Sequence, residues 1–182
     1  VDIFKDKKCF IFDFDGTLVD SMEFWAIYTY SKPVLAQFYE YMKDIYKDLI
    51  QPIPGSLEFL KYCHDAGKKC YIATATNLKV CGSCITKWGY DKYIDKAYCC
   101  DDFGVKKTDG FYRLVAQSEG FNIKDAVVFE DNTEWARAAH NDGFDIAAVY
   151  DRHSQTFDEL SSFSVVSITD YGAFVEIADG IE

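Results

Sequence analysis

Several hallmarks of membrane, secreted and nucleic-acid-binding proteins are missing from this sequence. No apolar run approaches the length that spans a bilayer, although 49% of the residues are hydrophobic. Positive charge is scarce, because 19 Lys and Arg stand against 30 Asp and Glu, for a formal net charge of −11. The first eight residues are largely charged, so no signal peptide is visible. We therefore expect a globular protein that binds neither nucleic acid nor a membrane.

Cysteine is frequent, with seven residues in a chain of 182. Cys81 and Cys84 form a CxxC motif, which could be a redox pair or half of a zinc site. A zinc site needs further ligands, and the adjacent Cys99 and Cys100 lack the spacing of a second pair. An odd number of cysteines without a secretion signal favours reduced thiols and a cytoplasmic location. We predict that the motif consists of ordinary helix-packing cysteines.

Apolar strand candidates alternate with amphipathic stretches along most of the chain. This alternation predicts an α/β fold with a Rossmann-like parallel sheet and helices on both faces. In such sheets the functional site lies beyond the carboxyl ends of the strands. The predicted strands are 8–14, 69–75, 95–100, 126–130, 145–150 and 164–168, and the predicted helices are 56–66, 78–88, 111–119 and 133–142.

Residues 21–51 interrupt the alternation and are predicted to form two helices, 21–31 and 33–50. We predict a core domain of residues 1–20 and 52–182 that carries this segment as a small helical insertion. Eight of the thirty residues from 21 to 50 are aromatic, more than two helices can bury by themselves. The rings either pack on each other and the core, form a homodimer contact, or line a substrate wall. Among them are Phe24, Trp25, Tyr28, Tyr30, Phe38 and Tyr46.

Two aspartates follow the first predicted strand. Asp13 and Asp15 are two residues apart in an extended segment, so both carboxylates project from one face of the strand end. Like charges this close repel unless one is protonated or a cation neutralises them, and Mg²⁺ is the usual hard cation. A bare DxDG is also compatible with a strand followed by an acidic turn. The full string DFDGTLVDS is far more specific.

Three further segments follow in order. They are a strand ending at Thr74, a Lys-Lys-x-Asp segment before the helix at 111–119, and a strand ending in Glu130 and Asp131. Together with DFDGTLVDS they resemble the four sequence motifs of the haloacid dehalogenase (HAD) superfamily of phosphohydrolases. The resemblance extends from about residue 8 to residue 150. It implies a sheet of the kind predicted above, with the insertion acting as a reduced helical cap over a comparatively open site.

The resemblance implies a role for each acid. Asp13 would be the nucleophile that becomes an aspartyl phosphate, and Asp15 the general acid and base. Asp13, Asp15 (through its backbone carbonyl) and Asp131 would hold Mg²⁺. Glu130 would either ligate the metal as well or only shape the field. The family often has a small residue or an acid four places after the aspartate, where this chain has Trp135.

Phosphate binding is the second implication of the resemblance. The hydroxyl of Thr74 and the backbone amide of Ala75 would contact the phosphate just before a helix begins. Lys107 keeps the family's lysine-x-aspartate pattern, whereas Lys106 keeps the common spacing to the acidic strand. We choose Lys107, because loops absorb changes of one residue in length.

The expected activity is that of a Mg²⁺-dependent phosphatase, which removes phosphate from a small phosphorylated metabolite through an aspartyl-phosphate intermediate. A phosphoglucomutase-like phosphotransferase is the nearest alternative, but it would favour a larger closing cap. Dehalogenases need only the nucleophile, so Asp15 argues against that chemistry. A catalytically silent HAD domain that serves as a binding module would have lost Asp13, Asp15 or the acid of the fourth motif, and all three are present.

Overall fold

The computed structural model describes residues 4–31 and 35–174, with side chains for 4–27 and 37–174. Within these ranges, no helix is both long enough and apolar enough to cross a bilayer. The strands are β1 (Cys9–Phe12), β2 (Val19–Asp20), β3 (Gln51–Pro52), β4 (Lys69–Thr74), β5 (Lys96–Cys99), β6 (Ala126–Glu130), β7 (Asp145–Val149) and β8 (Val166–Ile168). The helices are α1 (Met22–Ser31), α2 (Leu35–Asp48), α3 (Ser56–Asp65), α4 (Leu78–Trp88), α5 (Phe111–Glu119), α6 (Thr133–Asp142) and α7 (Phe157–Ser162).

Six strands form one parallel sheet in the order β5-β4-β1-β6-β7-β8. β1 lies between β4 and β6, with Phe12 level with Ile72 on one side and with Phe129 on the other. Because the strands are parallel, the carboxyl ends of β4, β1 and β6 lie side by side at one edge. The predicted α/β, Rossmann-like sheet is confirmed.

Apolar side chains cover both faces of the sheet. Successive residues of a strand point to opposite faces, so Phe10 and Phe12 pack in one cluster while Cys9 and Ile11 pack in the other. Strands buried on both sides read as continuous apolar runs, which is how they were predicted. Helices α2, α3 and α4 contribute to the first cluster and α5, α6 and α7 to the second, for example through Met42, Phe59, Cys81, Val115, Ala136 and Leu160.

The insertion packs on the core. α1 and α2 lie between β2 and β3, a short antiparallel pair that the sequence did not predict. α2 lies against α4, and its buried residues belong to the same apolar cluster as the first face of the sheet. Aromatic packing on the core is therefore observed for Phe38 and Tyr46, whereas the side chains of Tyr28 and Tyr30 lie outside the described residues. The division into two domains stays a prediction.

Some element boundaries differ from the prediction by one or two residues. β1 ends at Phe12 instead of residue 14, because the chain turns toward Gly16. β5 ends at Cys99, since residues Cys100–Asp102 form a short 3₁₀ turn. Helix α2 ends at Asp48, and its start is described from Leu35, because residues 32–34 lie outside the described part.

Candidate active site

Acidic and hydroxyl side chains follow the three central strands where each strand ends. Asp13 and Asp15 follow β1, Thr74 ends β4, Glu130 ends β6, and Asp131 comes next. All five side chains are buried. Because β4, β1 and β6 are neighbours, these side chains meet at the carboxyl edge of the sheet.

A tight turn after β1 sets the positions of the aspartates. Gly16 has φ +77°, and its amide donates to the Val19 carbonyl at 2.9 Å. A Cβ at this position would lie 2.5 Å from Oδ2 of Asp131. Glycine is therefore required twice, by the left-handed backbone conformation and by the carboxylate packed against it.

Asp13, Glu130 and Asp131 form a buried acidic cluster, in which one oxygen from each lies within 4.8 Å of the others. Burial raises the pKa of Asp13 although Lys107 opposes the shift. Burial and the neighbouring charge of Glu130 raise the pKa of Asp131. Oδ2 of Asp13 has no hydrogen-bond donor among the described residues. Crowded, buried carboxylate oxygens of this kind fit a hard divalent cation, so the cluster could hold a metal ion.

Lys107 is the cation that the protein itself supplies to the cluster. Its Nζ lies 2.6 Å from Oδ1 of Asp13 and 2.8 Å from Oε1 of Glu130. Burial alone would lower the pKa of Lys107, but the charges of the two carboxylates outweigh it and raise the pKa. Lys106, the other candidate for this position, is exposed. The structure therefore brings Lys107, rather than Lys106, to the predicted nucleophile.

Glu130 is held by the protein on both of its oxygens. The Tyr112 hydroxyl donates to Oε1 at 2.7 Å, where Lys107 also binds, and the Asn132 amide donates to Oε2 at 2.9 Å. Trp135 of α6 places its ring 4.3 Å from the Lys107 ammonium. The bulky residue at this position thus covers the lysine and leaves the acidic cluster intact.

The Asp15 carboxylate is not part of the acidic cluster and is held by hydroxyl groups. On Oδ1 it accepts from the Ser21 hydroxyl at 2.6 Å and from the Tyr46 hydroxyl. On Oδ2 it accepts from Thr76 at 2.7 Å and from Thr74 at 3.4 Å. If Asp15 contacts a metal ion in the cluster, the ligand is therefore its backbone carbonyl and not its side chain.

The end of β4 leads into α4. The Thr74 hydroxyl accepts from the Thr76 amide at 3.0 Å, and Asn77 caps α4 by accepting from the Lys79 amide at 2.8 Å. Ala75 lies between these contacts and is exposed to the site. Backbone amides at the start of a helix favour an anion, so this end of β4 is suited to a phosphate group.

A cavity of about 330 Å³ opens above these residues. Its floor contains the two aspartates of the β1 turn and the residues after β4, and the insertion and α6 supply aromatic and apolar walls. This volume accommodates a small organic molecule. The residues lining it are Asp13, Asp15, Met22, Trp25, Tyr39, Thr74, Ala75, Thr76 and Trp135.

All of the predicted site residues lie around this cavity or the acidic cluster beneath it. Sequence reasoning missed the hydroxyl groups of Ser21, Thr76 and Tyr46. Ser21 and Thr76 stand next to motifs that were recognised, so a search for hydroxyl residues near Asp15 and Thr74 could have found them. Tyr46 carries no such signal, because it is 31 residues from Asp15 along the chain.

Comparison with known proteins adds a family assignment. The sequence profile of the haloacid dehalogenase-like hydrolases matches residues 25–149, more than half of the chain. The protein belongs to this family. The matched range of the HAD profile begins after Asp13 and Asp15, so the placement of these two residues rests on the geometry described above.

Solved structures share the HAD fold over almost the whole chain. A candidate β-phosphoglucomutase from Thermotoga maritima is 19% identical, with 96% of this chain and 100% of that chain covered and a TM-score of 0.75. CbbY from Rhodobacter sphaeroides in complex with phosphate is 19% identical, with 91% and 95% covered and a TM-score of 0.72. A dehalogenase is 15% identical, with 94% and 96% covered and a TM-score of 0.74. Identities this low establish the shared fold alone, and no curated protein sequence matches.

Proposed function

We propose that this HAD hydrolase is a Mg²⁺-dependent phosphatase that uses Asp13 as a nucleophile. The observation that carries the proposal is the buried pair of Asp13 and Lys107 beside Asp131, with Asp13 at the floor of a cavity. A carboxylate is a weak nucleophile, but it suits a phosphoryl group whose negative charge is neutralised by cations. Lys107 supplies one such charge.

In the first step, an oxygen of Asp13 attacks phosphorus while the bond from phosphorus to the leaving oxygen breaks. Asp15, which enters this step in its protonated form, gives its proton to that oxygen, so the alcohol departs and Asp13 carries the phosphoryl group. In the second step, Asp15 takes a proton from water as the water oxygen attacks phosphorus. The bond from phosphorus to Asp13 then breaks, which releases inorganic phosphate and restores both carboxyl groups.

Binding of the phosphoryl group would be shared among several groups. Asp13, Asp131 and the backbone carbonyl of Asp15 would hold Mg²⁺, which when bound neutralises charge on the phosphoryl oxygens. Thr74 and the amide of Ala75 would contact those oxygens at the start of α4. Because Glu130 is engaged by protein donors on both oxygens, its role would be to orient Lys107.

The proposed substrate is a small phosphorylated metabolite, in agreement with the size of the cavity. Phosphate is bound in the related CbbY structure. A mutase would return the phosphoryl group to its substrate behind a cap that excludes water, whereas this insertion is short and packs on α4. Hydrolysis is therefore the favoured outcome. Seven buried, unpaired thiols are in keeping with the proposed cytoplasmic location.

Replacing the nucleophile tests the proposal. A screen of phosphorylated metabolites with Mg²⁺ first identifies a substrate by the release of inorganic phosphate. We expect Asp13→Asn to reduce kcat by roughly 10⁴-fold or more, because an amide of the same shape cannot attack phosphorus. Acid quenching during turnover should trap a hydroxylamine-sensitive phosphoenzyme in the wild-type protein and none in the variant.

Asp44→Asn is the matched control, because Asp44 is an exposed residue of α2 outside the site. It should retain wild-type turnover. Substantial turnover by a folded Asp13→Asn protein would exclude the covalent route. Appearance of an isomerised phosphorylated product, in place of free phosphate, would instead identify a mutase.

A further inference from the structure

One hydroxyl group of the site comes from the insertion and not from the core. Tyr46 of α2 is fully buried, and its hydroxyl donates to Oδ1 of Asp15. The indole Nε1 of Trp25 donates to the Tyr46 oxygen at 3.0 Å. An indole N–H is a donor only, so the Tyr46 oxygen accepts from Trp25 and its single proton is directed at Asp15.

Packing of α2 on the core fixes the position of this hydroxyl. The Tyr46 ring stacks on Phe14, with 6.4 Å between ring centroids and 20° between ring planes. At the end of α2, Lys87 Nζ donates to the Lys47 carbonyl at 2.9 Å, and the Trp88 indole donates to the Ile50 carbonyl at 3.0 Å. Burial of the ring and the packing of α2 on α4 thus hold the Tyr46 hydroxyl at Asp15.

We propose that Tyr46 is a positioning residue that orients the Asp15 carboxyl group for proton transfer to the leaving group. The inference rests on the proposed phosphatase function. A group that transfers a proton must be held within hydrogen-bond reach of the reacting oxygen, and small errors in orientation are costly. Without the Tyr46 hydroxyl, Ser21 would be the only described residue that donates a hydrogen bond to Oδ1 of Asp15. The insertion thereby completes the catalytic geometry.

The leaving group provides a selective test. The alkoxide of an alkyl phosphate must be protonated as it departs, whereas the phenolate of p-nitrophenyl phosphate departs with little assistance. We expect Tyr46→Phe to lower kcat/KM for an alkyl phosphate substrate about tenfold or more. For p-nitrophenyl phosphate the fall should stay below about threefold, because general acid catalysis contributes little there. If Tyr46 had only a structural role, Tyr46→Phe would lower kcat/KM equally for the alkyl phosphate and for p-nitrophenyl phosphate.

Tyr90→Phe is the matched control. Tyr90 is also fully buried against Phe14, with ring centroids 6.1 Å apart, but its hydroxyl donates to the Leu18 carbonyl at 2.8 Å. Removal of the Tyr90 hydroxyl should change kcat/KM for the two substrates by the same factor. Trp25→Phe, which removes the indole donor to Tyr46, should show a smaller selective fall and serves if Tyr46→Phe does not fold.

The outcomes separate this inference from the function on which it rests. A selective loss with the alkyl phosphate supports the positioning role of Tyr46. An equal loss with both substrates, or no loss, overturns that role while an inactive Asp13→Asn variant still supports the phosphatase. Turnover by Asp13→Asn overturns the phosphatase mechanism itself, and the positioning role with it.

Discussion

At the scale of single residues, Lys107 places a positive charge inside the acidic cluster. Its ammonium group is shared by Asp13 and Glu130, while Asp131 adds a third carboxylate to the same buried cluster. One positive charge therefore faces three negative ones when all are ionised. The remaining negative charge is what a divalent cation would neutralise, and the chain's net charge of −11 offers no relief from elsewhere.

The unequal engagement of Glu130 and Asp131 predicts unequal effects on Mg²⁺ binding. Asp131→Asn should raise the dissociation constant of Mg²⁺ more than about a hundredfold, because it removes a direct ligand, whereas Glu130→Gln should raise it only about tenfold. The reason is that Glu130 already accepts from Tyr112 and Asn132. Calorimetric titration of Mg²⁺ into both variants measures the difference without any need for turnover.

A stability measurement accompanies this titration. Without metal, and at a pH above the raised pKa of Asp131, Asp131→Asn should unfold at a higher temperature than the wild-type protein, since it removes a buried charge repelled by its neighbours. Asparagine has the same shape and can still accept a hydrogen bond from Thr17, which donates to Asp131 at 3.0 Å. In the Mg²⁺ titration, equal affinity in Asp131→Asn and Glu130→Gln, or a larger loss of affinity in Glu130→Gln, would contradict the assignment of Asp131 as a direct metal ligand.

Whether a site residue could be predicted from the sequence depends on how close it lies, along the chain, to a recognisable strand end. Asp13, Asp15 and Asp131 were found because each follows an apolar strand, and strand ends of a parallel sheet converge. Tyr46 could not be found in this way. Its contact with Asp15 depends on how α2 packs on α4, and the hydrophobic pattern of α2 specifies a buried face without specifying the partner.

At the scale of elements, the turn between β1 and β2 couples backbone conformation to the acidic cluster. Gly16→Ala should destabilise the protein and weaken Mg²⁺ binding together. A non-glycine residue in the left-handed region costs about 1–2 kcal/mol, and the new Cβ would lie 2.5 Å from Oδ2 of Asp131. Denaturant unfolding and Mg²⁺ titration measure the two effects.

Gly67→Ala is a close control for this prediction. Gly67 has φ +76°, almost the value at Gly16, but a Cβ there would meet no atom within 4 Å. Gly67→Ala should therefore lose only the stability that the left-handed backbone conformation costs, and its Mg²⁺ affinity should be unchanged. If both variants lost the same stability and both kept their Mg²⁺ affinity, the packing of Gly16 against Asp131 would have no energetic role.

Elements were predictable where periodicity is strong. Helices α4, α5 and α6 have the predicted bounds, because capping residues or glycines flank each of them. The β2–β3 pair was missed, since two-residue strands leave no periodic signal. The strand order was not predicted either, because alternation of strands and helices indicates a parallel sheet without fixing which strands are neighbours.

On the scale of the whole molecule, the seven cysteines contribute to packing. All of them are buried and unpaired, and six belong to the apolar clusters on the two faces of the sheet. Burial raises the pKa of Cys84 to about 12 and also raises that of Cys81 above the usual range. The thiolate is the form that binds metals and attacks disulfides, so burial suppresses both reactions at the CxxC motif.

We therefore expect the protein to be fully active when reduced and to need no zinc. Metal analysis of protein purified without chelator should find no stoichiometric zinc, and turnover in excess thiol should equal turnover without it. A thiol reagent should modify the native protein slowly, whereas in denaturant it should titrate all seven cysteines. Stoichiometric zinc, or activity that is lost on reduction, would mean that Cys81 and Cys84 do more than pack α4 against the core.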